Sequence, residues 1–471
     1  MNMKLKERVL LTVLVSVCVL MMLRMKLSKN RQYTANGEQE YDILDKLEPI
    51  DQKDKTSNLA NAHLLKKRET PFEEYHGNNL VDNSDNTKES FKKNAKYIKE
   101  KINAEDKAIR EKETNVIDGM DPWDVWWTMV TERHLTSSQN KAAVKRILQG
   151  LATRQILEAK TLRKGTQLKV SLLLDGTTQQ KVVFKPMRYP RDFIITGKIY
   201  DGFDRHNAEI AAFHLDRILG FFRAPPVVGR KLDLEKEVKP VGEEALLKTF
   251  FKNEDGDDCF YGVCYYCKKS EAACAKGKIM EGSVTIWLPD GWHLAKSRHP
   301  WQRTYNNRKA RWELDPNYCS DVVSVSPYNE GPRMLDIIDT SIFDFLIGNG
   351  DRHHYETFKK GGPRGMLLHL DNAKSFGNPA IDDLSILSPL TQCCRIRKST
   401  YDRLSKIPME EPESERLSFQ LRQSLLSDPI SPVLTESHLQ ALDRRLKTAM
   451  KNIEKCIDKH GKTKAVIDDG L

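Results

Sequence analysis

One segment in the second half of the 471-residue chain constrains the fold more than any other. Apolar residues recur at helical spacing over residues 335–347, and the pattern stops at a glycine-rich turn, 348–350, which is typical of a helix end. An acidic loop begins at Asp351, and the apolar run 366–370 predicts a short strand that ends at Asp371. We therefore expect two acidic loops, each directly behind a buried element.

The preceding part of the chain has a different pattern. Folding is expected to start near Asp121, where DPWDVWW places three tryptophans close together after a helix N-cap signal. Residues 168–174 and 181–185 are β-rich runs that flank a turn-forming sequence, which predicts a hairpin. Residues 207–219 have the helical period. A hairpin and helix followed by a mainly helical half predict an α+β, two-lobed enzyme over residues 119–471.

The N-terminus carries a membrane-targeting signal. Apolar residues fill positions 9–23, and basic residues flank the run on both sides. The run is shorter than the ~20 residues of a full span, but the thinner membranes of the early secretory pathway accept shorter segments. No A-x-A-like cleavage site follows, which favours an uncleaved signal anchor over a removed signal peptide. We expect a cytosolic tail at 1–8, the anchor at 9–23 and a polar luminal stem at 24–118.

Charge and cysteine content are compatible with a luminal location. The 76 basic and 66 acidic residues give a net charge of +10, which suits polyanionic partners such as nucleotides but is also ordinary for a charged soluble surface. Eight cysteines lie outside the apolar run, an even number that suits disulfides in an oxidising compartment. A zinc site is the alternative for the cysteine cluster at 259–267, but no second cysteine or histidine pair stands nearby at ligand spacing.

Several charged residues match the needs of phosphoryl transfer, which requires a cation for the phosphates, an acid to hold it, metal ligands and a carboxylate base. Lys185 ends the predicted strand VVFKP, where a kinase carries its phosphate-binding lysine, although most lysines at strand ends are structural or solvated. Glu209, on the following helix, is placed to pair with Lys185. Asp204 lies just ahead of that helix, where it can act as an N-cap or hold a metal.

The most specific local match is GNGDRHHYE. Glu356 is the fifth residue beyond Asp351, which is the spacing between the base and the metal-binding Asn of a protein-kinase catalytic loop. Asp371 follows its strand as the metal-binding aspartate of a kinase does, but the usual Phe-Gly is absent after it. No G-x-G-x-x-G is present; Gln167, in the KGTQLK of residues 164–169 on the first hairpin strand, could line the nucleotide instead. These motifs alone leave open a kinase and another metal-dependent phosphoryl enzyme.

Longer runs of sequence resemble one known family. The chain looks like the secretory-pathway kinases called family with sequence similarity 20 in VVFKP, DRHNAEIAAFHLDRILG, CFYGVCYYC, MEGSVTIWLPD, DRHHYE, LDNAKSFG and LSILSPLTQCC. The resemblance covers residues 121–471 and does not extend to the stem. It implies an atypical two-lobed protein-kinase-like fold with disulfides, the use of ATP with Mn²⁺ or Mg²⁺, and a Golgi location.

The resemblance also implies roles for individual residues. Asp351 is the expected catalytic base, and the expected metal ligands are Asp204, Asp371 and Glu356. The nucleotide site that the family implies comprises Gln167, Lys185, Thr285, Ile286, Trp287, Leu288, Glu356 and Asp371, with Lys185 paired to Glu209. The implied disulfides are Cys259–Cys274, Cys264–Cys267, Cys319–Cys393 and Cys394–Cys456.

The branches of this family differ in acceptor. One phosphorylates serines of secreted proteins, one phosphorylates the 2-hydroxyl of xylose in the glycosaminoglycan–protein linkage region, and one member is a pseudokinase. The stretch from CFYGVCYYC to GSVTIWLPD resembles the xylosylkinase branch more closely, whereas QCCRIRKSTYDRL resembles the protein-kinase branch. The intact set of acids argues against a pseudokinase and against a non-catalytic activator.

Aromatic and basic residues ahead of the catalytic loop bear on the choice of acceptor. Sugars present apolar faces to aromatic rings, but core packing is the alternative explanation for such rings. Basic side chains would instead suit an acidic peptide. The candidate sugar contacts are Trp292, Trp301, Tyr305 and Trp312, and the basic residues are Arg298, Arg303, Arg308, Lys309 and Arg311.

We therefore predict a type II Golgi membrane protein with a luminal catalytic domain, which a later cleavage would release for secretion. Its expected substrate is galactosyl-xylose or xylose on proteoglycan core proteins, and its expected cofactors are ATP and Mn²⁺ or Mg²⁺. The membrane is contacted through the N-terminal anchor, and no nucleic acid is expected as a partner. The alternatives are a Golgi serine kinase of secreted proteins and a non-catalytic activator of such a kinase.

Overall fold

The computed structural model describes residues 119–471 apart from 163, 164 and 307. The predicted cytosolic tail, signal anchor and stem, residues 1–118, lie outside the described residues. Within the described part of the chain, no helix is both long enough and apolar enough to cross a bilayer.

Strands and helices are both present in each half of this region. The strands are β1 (Ile156–Thr161), β2 (Val170–Leu174), β3 (Gln180–Pro186), β4 (Val227–Asp233), β5 (Phe250–Lys252), β6 (Asp258–Phe260), β7 (Ala273–Cys274), β8 (Ile279–Ile286), β9 (Leu294–Arg298), β10 (His354–Phe358), β11 (Leu367–Leu368), β12 (Ile396–Arg397) and β13 (Val466–Ile467). The α-helices are α1 (Pro122–Met129), α2 (Lys141–Thr153), α3 (His206–Ile218), α4 (Glu244–Leu247), α5 (Arg311–Leu314), α6 (Tyr318–Val322), α7 (Arg333–Ile347), α8 (Ser388–Cys393), α9 (Lys398–Leu404), α10 (Leu417–Leu425), α11 (Glu436–His460) and α12 (Lys462–Ala465). The α+β prediction is confirmed.

An antiparallel five-stranded sheet forms the N-terminal lobe, in the order β1-β2-β3-β8-β4. The predicted hairpin is β2 and β3, which pair with Leu172 opposite Val182. Alternate side chains of β2 are buried, because successive residues of a strand point to opposite faces. Strand β1 was not predicted, since a register irregularity between Ile156 and Glu158 breaks its alternation.

The KGTQLK segment departs from the prediction. We expected residues 164–169 on the first strand of the hairpin, but β2 begins only at Val170. Gly165 has φ +87°, a left-handed conformation that turns the backbone just ahead of the strand. Gln167 therefore lies in the loop that leads into β2.

Two helical elements fix the N-terminal lobe around its sheet. Asp121 caps α1 by accepting a hydrogen bond from the Trp123 N–H at 3.0 Å, and the helix buries Trp123 and Trp126 completely. The predicted helix at 207–219 is α3, which packs on β4 and β8. Because α3 is buried along most of its length, its polar residues need partners inside the protein.

The C-terminal lobe is built around α7. Its predicted end at Ile347 is confirmed, but it begins at Arg333, two residues before the predicted start, and Gly348 ends it in the left-handed conformation, at φ +70°. Every residue of the helix is buried, although the periodic pattern predicted only one apolar face. The strand expected at 366–370 is only the two-residue β11, which joins β10 and β9 in a small antiparallel sheet. This sheet carries the residues that follow Asp351.

Four disulfides are present in the described part of the chain. All four pairs implied by the resemblance are bonded: Cys259–Cys274, Cys264–Cys267, Cys319–Cys393 and Cys394–Cys456. The first joins neighbouring strands β6 and β7, and the last two join α8 to α6 and α11. The zinc alternative for the cluster at 259–267 is wrong, because Cys264 is bonded to Cys267 and Cys259 to Cys274, so none of the three has a thiolate to offer.

Candidate active site

Lys185 lies where the two lobes meet. It sits near the end of β3, and its side chain is only 8% exposed. Its Nζ lies 2.7 Å from Glu209 Oε1, 2.9 Å from Asp204 Oδ2 and 3.0 Å from Asp371 Oδ1. One buried ammonium group therefore binds three carboxylates, two from the N-terminal lobe and one from the C-terminal lobe.

These contacts determine the charge of the lysine. Burial alone would lower the pKa of Lys185, but the carboxylates of Asp204, Glu209 and Asp371 outweigh burial and raise the pKa well above its usual range. Lys185 is in turn the main reason that the pKa of Asp371 lies well below its usual range. Lys185 is therefore an ammonium and Asp371 a carboxylate throughout the physiological pH range.

The helix α3 positions two of the three acids. Glu209 is one turn inside the helix, and its Oε2 also accepts a hydrogen bond from the Asn372 N–H at 3.2 Å. Asp204 lies just ahead of the helix, but the N-cap residue is Arg205 and no side chain caps α3. Because its carboxylate contacts Lys185 instead, the N-cap interpretation of Asp204 is wrong.

The carboxylates around Lys185 fit a divalent cation that also binds phosphate. Asp204 and Asp371 contact the same nitrogen at 2.9 and 3.0 Å, so their oxygens are no more than about 6 Å apart. The Asp371 side chain is 74% exposed, so it is accessible to a cation beside Lys185. Among the described residues, no three His, Cys, Asp or Glu side chains converge as a preformed metal site. Mg²⁺-like cations bind through one or two carboxylates and the nucleotide phosphates, so a two-carboxylate site is sufficient.

Asp351 follows the glycine-rich turn at the end of α7. Its N–H donates to Asn349 Oδ1 at 3.0 Å, which fixes the backbone of the turn. Tyr305 Oη donates to Asp351 Oδ1. His353 lies beside the same loop, with Nδ1 at 2.8 Å from the Asp351 carbonyl oxygen. The carboxylate is therefore held on one side and remains partly exposed, at 23%.

Glu356 extends from β10 on the same side of the lobe. Burial raises its pKa, and the negative charge of Asp371 adds to that effect, whereas Lys296 on β9 opposes it. When burial and a neighbouring acid raise the pKa of a carboxyl group, a cation bound between the two acids stabilises its ionised form. The role of Glu356 at the metal and nucleotide stays a prediction.

Arg352 links the two acidic loops, and sequence reasoning did not identify it. It is paired with Asp344 at 2.7 Å and donates to Asn372 Oδ1 at 2.8 Å and to the Leu370 carbonyl oxygen. Burial would lower its pKa, but Asp344 outweighs burial and the pKa is raised. The buried guanidinium thus fixes the residues on either side of Asp371 relative to Asp351.

The loop before β2 carries the predicted nucleotide contact Gln167. Gln167 is half-buried in this loop, and the Thr166 carbonyl accepts from the Tyr266 N–H at 3.4 Å. Sequence reasoning did not identify Lys169. On the strand that was predicted for residues 164–169, it stands two residues from Gln167 and would share the same face, which was a signal for it. Burial lowers the pKa of Lys169, and the positive charge of Lys185 lowers it further. A second lysine therefore faces the same acids.

The segment predicted as the hinge, 285–288, ends β8 and continues beyond it. Thr285 is paired within the sheet, and the Trp287 carbonyl accepts from Trp126 Nε1 at 3.0 Å and Gln180 Nε2 at 3.1 Å. The Ile286 N–H donates to the Pro226 carbonyl at 3.1 Å, but proline has no N–H to return the bond. The Ile286 carbonyl therefore gains no hydrogen bond from this neighbour.

The four aromatic candidates fall into two groups. Trp301 and Trp312 are 6% and 5% exposed, with their indole N–H groups bonded to Gln392 Oε1 at 2.7 Å and the Gln302 carbonyl at 2.8 Å. Trp292 is half-buried and packs on Phe358. Trp301 and Trp312 nevertheless line one pocket with Tyr305, beside Asn349 and Gly350 of the catalytic loop, so the prediction of sugar contacts stays a prediction. Only Tyr305 is substantially exposed, at 41%, and its hydroxyl reaches Asp351.

The basic candidates also divide. Arg303 is paired with Asp383 at 2.9 Å and Arg311 with Asp321, so both are engaged within the protein. Arg298, Arg308 and Lys309 are exposed.

Comparisons with known proteins agree with this arrangement. The family model described as "Golgi casein kinase, C-terminal, Fam20" matches residues 121–465. Glycosaminoglycan xylosylkinase of Danio rerio is 53% identical over 353 residues, 74% of this chain and 84% of the relative. The Homo sapiens xylosylkinase is 51% identical over the same shares. The extracellular serine/threonine protein kinase FAM20C of Homo sapiens is 44% identical over 72% of this chain and 58% of its own length.

Solved structures give the same result. The structure titled "The structure of hydra Fam20 with sugar" has a TM-score of 0.73 at 52% identity and covers 75% of this chain and 100% of its own. The Golgi casein kinase with Mn/ADP bound has a TM-score of 0.70 at 36% identity and covers 76% of this chain and 85% of its own. At these identities the likeness extends to the domain that carries the site.

Proposed function

Because the chain belongs to the Fam20 kinase family, we propose that it uses ATP to phosphorylate the 2-hydroxyl of xylose in the glycosaminoglycan–protein linkage region of proteoglycans. The observation that supports catalysis is that Lys185 binds Asp204, Glu209 and Asp371. A pseudokinase would not need this complete set of charged residues. The choice of acceptor is supported by the two xylosylkinases, which are 53% and 51% identical over 84% of their length.

In this proposal Asp351 is the general base. It accepts the proton of the xylose hydroxyl while the hydroxyl oxygen attacks the γ-phosphorus of ATP, and ADP leaves as the bridging P–O bond breaks. Lys185, fixed by Glu209, binds the nucleotide phosphates from the N-terminal lobe. When bound, Mn²⁺ would neutralise the negative charge of the phosphates. Asp204, Asp371 and Glu356 would hold this ion.

The remaining nucleotide contacts come from the N-terminal lobe. Gln167 lies in the loop ahead of β2, and we assign it a contact with the phosphates. The Ile286 carbonyl lacks a returning bond from Pro226 and is the acceptor we assign to the adenine amino group. The Trp287 carbonyl is already bonded to two donors, so it is the least suited of the hinge carbonyls.

A serine kinase of secreted proteins is the second candidate. Arg298, Arg308 and Lys309 are exposed cations that could bind acidic residues around a serine. The 44% identity to FAM20C supports this alternative less well, because the match spans only 58% of that protein.

A secretory-pathway location is consistent with the family and with the four disulfides. We propose residence in the Golgi, with residues 9–23 as a type II anchor and the kinase domain in the lumen. Protease protection of the domain in intact Golgi vesicles would be expected; digestion without detergent would contradict it.

The test of function is phosphate transfer from labelled ATP with Mn²⁺, comparing a galactosyl-xylose acceptor with an acidic serine peptide. We expect transfer to the sugar and not to the peptide, and loss of transfer in Asp371→Ala. Transfer to the peptide alone would move the protein to the serine-kinase branch. ATP binding without transfer to either acceptor would indicate the non-catalytic activator instead.

A further inference from the structure

Arg205 is buried between α3 and the loop that carries Asp371. We call residues 371–377 the metal loop. The Arg205 N–H donates to the Ala373 carbonyl at 2.8 Å, Nε donates to the Ser375 carbonyl at 2.7 Å, and Nη2 donates to the Lys374 carbonyl. A single residue thus binds three consecutive carbonyl groups of the metal loop.

The partners of Arg205 are unusual for a buried guanidinium. The residue is only 4% exposed, and its side-chain hydrogen bonds go to backbone carbonyls rather than to a carboxylate. Burial lowers its pKa to about 10, so the charge costs free energy yet is kept. Two of the three carbonyls, those of Lys374 and Ser375, are bound by the guanidinium, whose planar, fixed set of donors suits neighbouring acceptors better than a lysine ammonium does.

The metal loop needs such support. Asp371 and Phe376 have φ values of +56° and +52°, in the left-handed region that side chains other than glycine rarely adopt. Residues in this conformation persist only where the surrounding structure determines them. The Phe376 N–H also donates to the Ile347 carbonyl at 2.8 Å, at the end of α7. The loop is therefore fixed on one side by Arg205 and on the other by α7.

Arg205 directly precedes α3, and α3 also carries Glu209. Glu209 binds Lys185 at 2.7 Å and the Asn372 N–H at 3.2 Å. The start of α3 therefore contacts the metal loop at residues 372, 373, 374 and 375. In protein kinases, by contrast, the position of the corresponding helix and the state of the metal-binding aspartate are regulated variables.

We propose that Arg205 is a positioning residue that fixes the metal loop to α3, so that Asp371 and the Lys185–Glu209 pair are assembled without an activating event. This inference rests on the proposed kinase function, because it concerns the Mn²⁺ and nucleotide that this function requires. Its consequence is that losing the Arg205 contacts weakens binding of Mn²⁺ with nucleotide before any acceptor is involved.

The test is the dissociation constant of Mn²⁺ in the presence of ADP, from the electron paramagnetic resonance signal of free Mn²⁺. We expect Arg205→Met to weaken Mn²⁺ binding by about 10-fold or more, which is typical when a residue supporting a metal ligand is lost. Arg205→Lys should be intermediate, because its ammonium keeps the charge and can donate to a carbonyl but lacks the planar fork of the guanidinium. Arg230→Met is the matched control: Arg230 is 5% exposed and binds the Leu151 carbonyl at 3.2 Å and Glu237 at 2.9 Å, with no contact to the metal loop.

A second variant changes Gly377, which lies against the Arg205 guanidinium, and leaves Arg205 itself unchanged. A Cβ added at Gly377 would lie 3.0 Å from Arg205 Nη2 and 3.1 Å from Cζ, so Gly377→Ala should displace the guanidinium while keeping its charge. Gly361→Ala, with nothing within 4 Å, is its control. We expect Gly377→Ala to weaken Mn²⁺ binding and Gly361→Ala to leave it unchanged. If Arg205→Met fails to fold, the comparison of Gly377→Ala with Gly361→Ala still tests the proposed role of Arg205.

Two results would overturn the inference: wild-type Mn²⁺ affinity in Arg205→Met or Gly377→Ala, or equal weakening in Arg230→Met. Failure of the proposed function is distinguishable, because this measurement uses no acceptor. A wild-type protein that binds Mn²⁺ with ADP but phosphorylates no sugar contradicts only the proposed acceptor. One that binds no Mn²⁺ with ADP contradicts both.

Discussion

The carboxylate of Asp351 is held through one of its two oxygens. Tyr305 Oη donates to Oδ1, and the part of the chain that the structure describes offers no hydrogen bond to Oδ2. The second oxygen is thus left to accept the proton of the substrate. Tyr305 was predicted from the sequence as a sugar contact, but its position at the base indicates that it orients the carboxylate.

Tyr305→Phe tests this role. The change keeps the ring, which packs edge-on against Tyr200 and His353, and removes only the hydroxyl. Because a hydrogen bond to a charged group is lost, we expect kcat to fall by about 10-fold while KM for ATP stays unchanged. Tyr200→Phe is the control and should have wild-type kinetics. A change confined to the KM of the sugar would instead make Tyr305 a substrate contact.

His353 gives the catalytic loop a pH-dependent stability. Its pKa is raised, chiefly by hydrogen bonding to Asp351, with the charges of Asp351 and Asp371 adding to the effect against burial. Since the folded state favours the protonated imidazole, this stabilisation is fully present below the unfolded pKa and is lost as pH rises through the raised pKa. His353→Gln should therefore lower the free energy of unfolding more at about pH 5.5 than at about pH 9.

Urea unfolding of both proteins at each pH measures this difference. His438 is a control of opposite sign, because burial lowers its pKa to about 4 and the folded state disfavours its charged form. His438→Gln should thus be relatively less harmful at the lower pH. An effect of His353→Gln that is equal at the two pH values would contradict the assignment.

Among single residues, sequence spacing located those that belong to a kinase motif. It missed those that reach the site only through the folding of distant segments. Lys185, Glu209, Asp351 and Asp371 could be placed because a kinase fixes their order along the chain. Arg205 and Arg352 could not, because their partners are backbone carbonyls and a second loop, and neither leaves a pattern in the sequence.

Among the elements, α7 differs most from its sequence pattern. The apolar period predicted one buried face, but the whole helix is buried, including Asp336 and Asp339. Arginines from distant segments make this possible: Arg397 binds Asp336 at 2.8 Å and also binds Asp339, and Arg223 binds Asp339 at 2.9 Å. Helical periodicity could not predict partners that come from other parts of the chain.

Arg397→Met should therefore be strongly destabilising. Its side chain is 3% exposed and also binds Asp469 at 2.9 Å near the C-terminus, so its loss leaves buried carboxylates short of positive charge. We expect the free energy of unfolding to fall by about 3–5 kcal/mol, measured by urea unfolding. Lys398→Met, at the next position, removes only an exposed pair with Asp402 and should match the wild type. Similar losses in both variants would count against the buried network.

The elements that were predicted correctly are those with strong local signals. The β2–β3 hairpin, α3 and α7 each had a clear period and a recognisable end. β1 has a register irregularity and was not predicted. β11 was predicted over 366–370 but is two residues long, and such a short strand has too little alternation to define its bounds.

At the scale of the whole described region, residues 119–471, the protein is a two-lobed kinase domain whose site takes residues from both lobes. Lys185, Glu209 and Asp204 come from the N-terminal lobe, and Asp351 and Asp371 from the C-terminal lobe. The order of elements predicted the α+β class, and the family resemblance implied the kinase fold that the solved Fam20 structures now support.

The acceptor is the property that sequence motifs decided least. Phosphoryl transfer to a sugar and to a serine requires the same base, lysine and acids, so the shared machinery carries no information about the acceptor. Trp301 and Trp312 are nearly buried but line a pocket beside the catalytic loop, so they do not decide the acceptor, and the support for xylose comes from relatives.

The most direct measurement is therefore the position of the phosphate in the product. Galactosyl-xylose is incubated with ATP, Mn²⁺ and the wild-type or Asp351→Asn protein, and the product is examined by phosphorus–proton correlation NMR. We predict phosphate on the xylose 2-hydroxyl, and a rate at least about 100-fold lower in Asp351→Asn, as expected when a general base is lost. Phosphate on another hydroxyl, or an unchanged rate in Asp351→Asn, would contradict the proposed function.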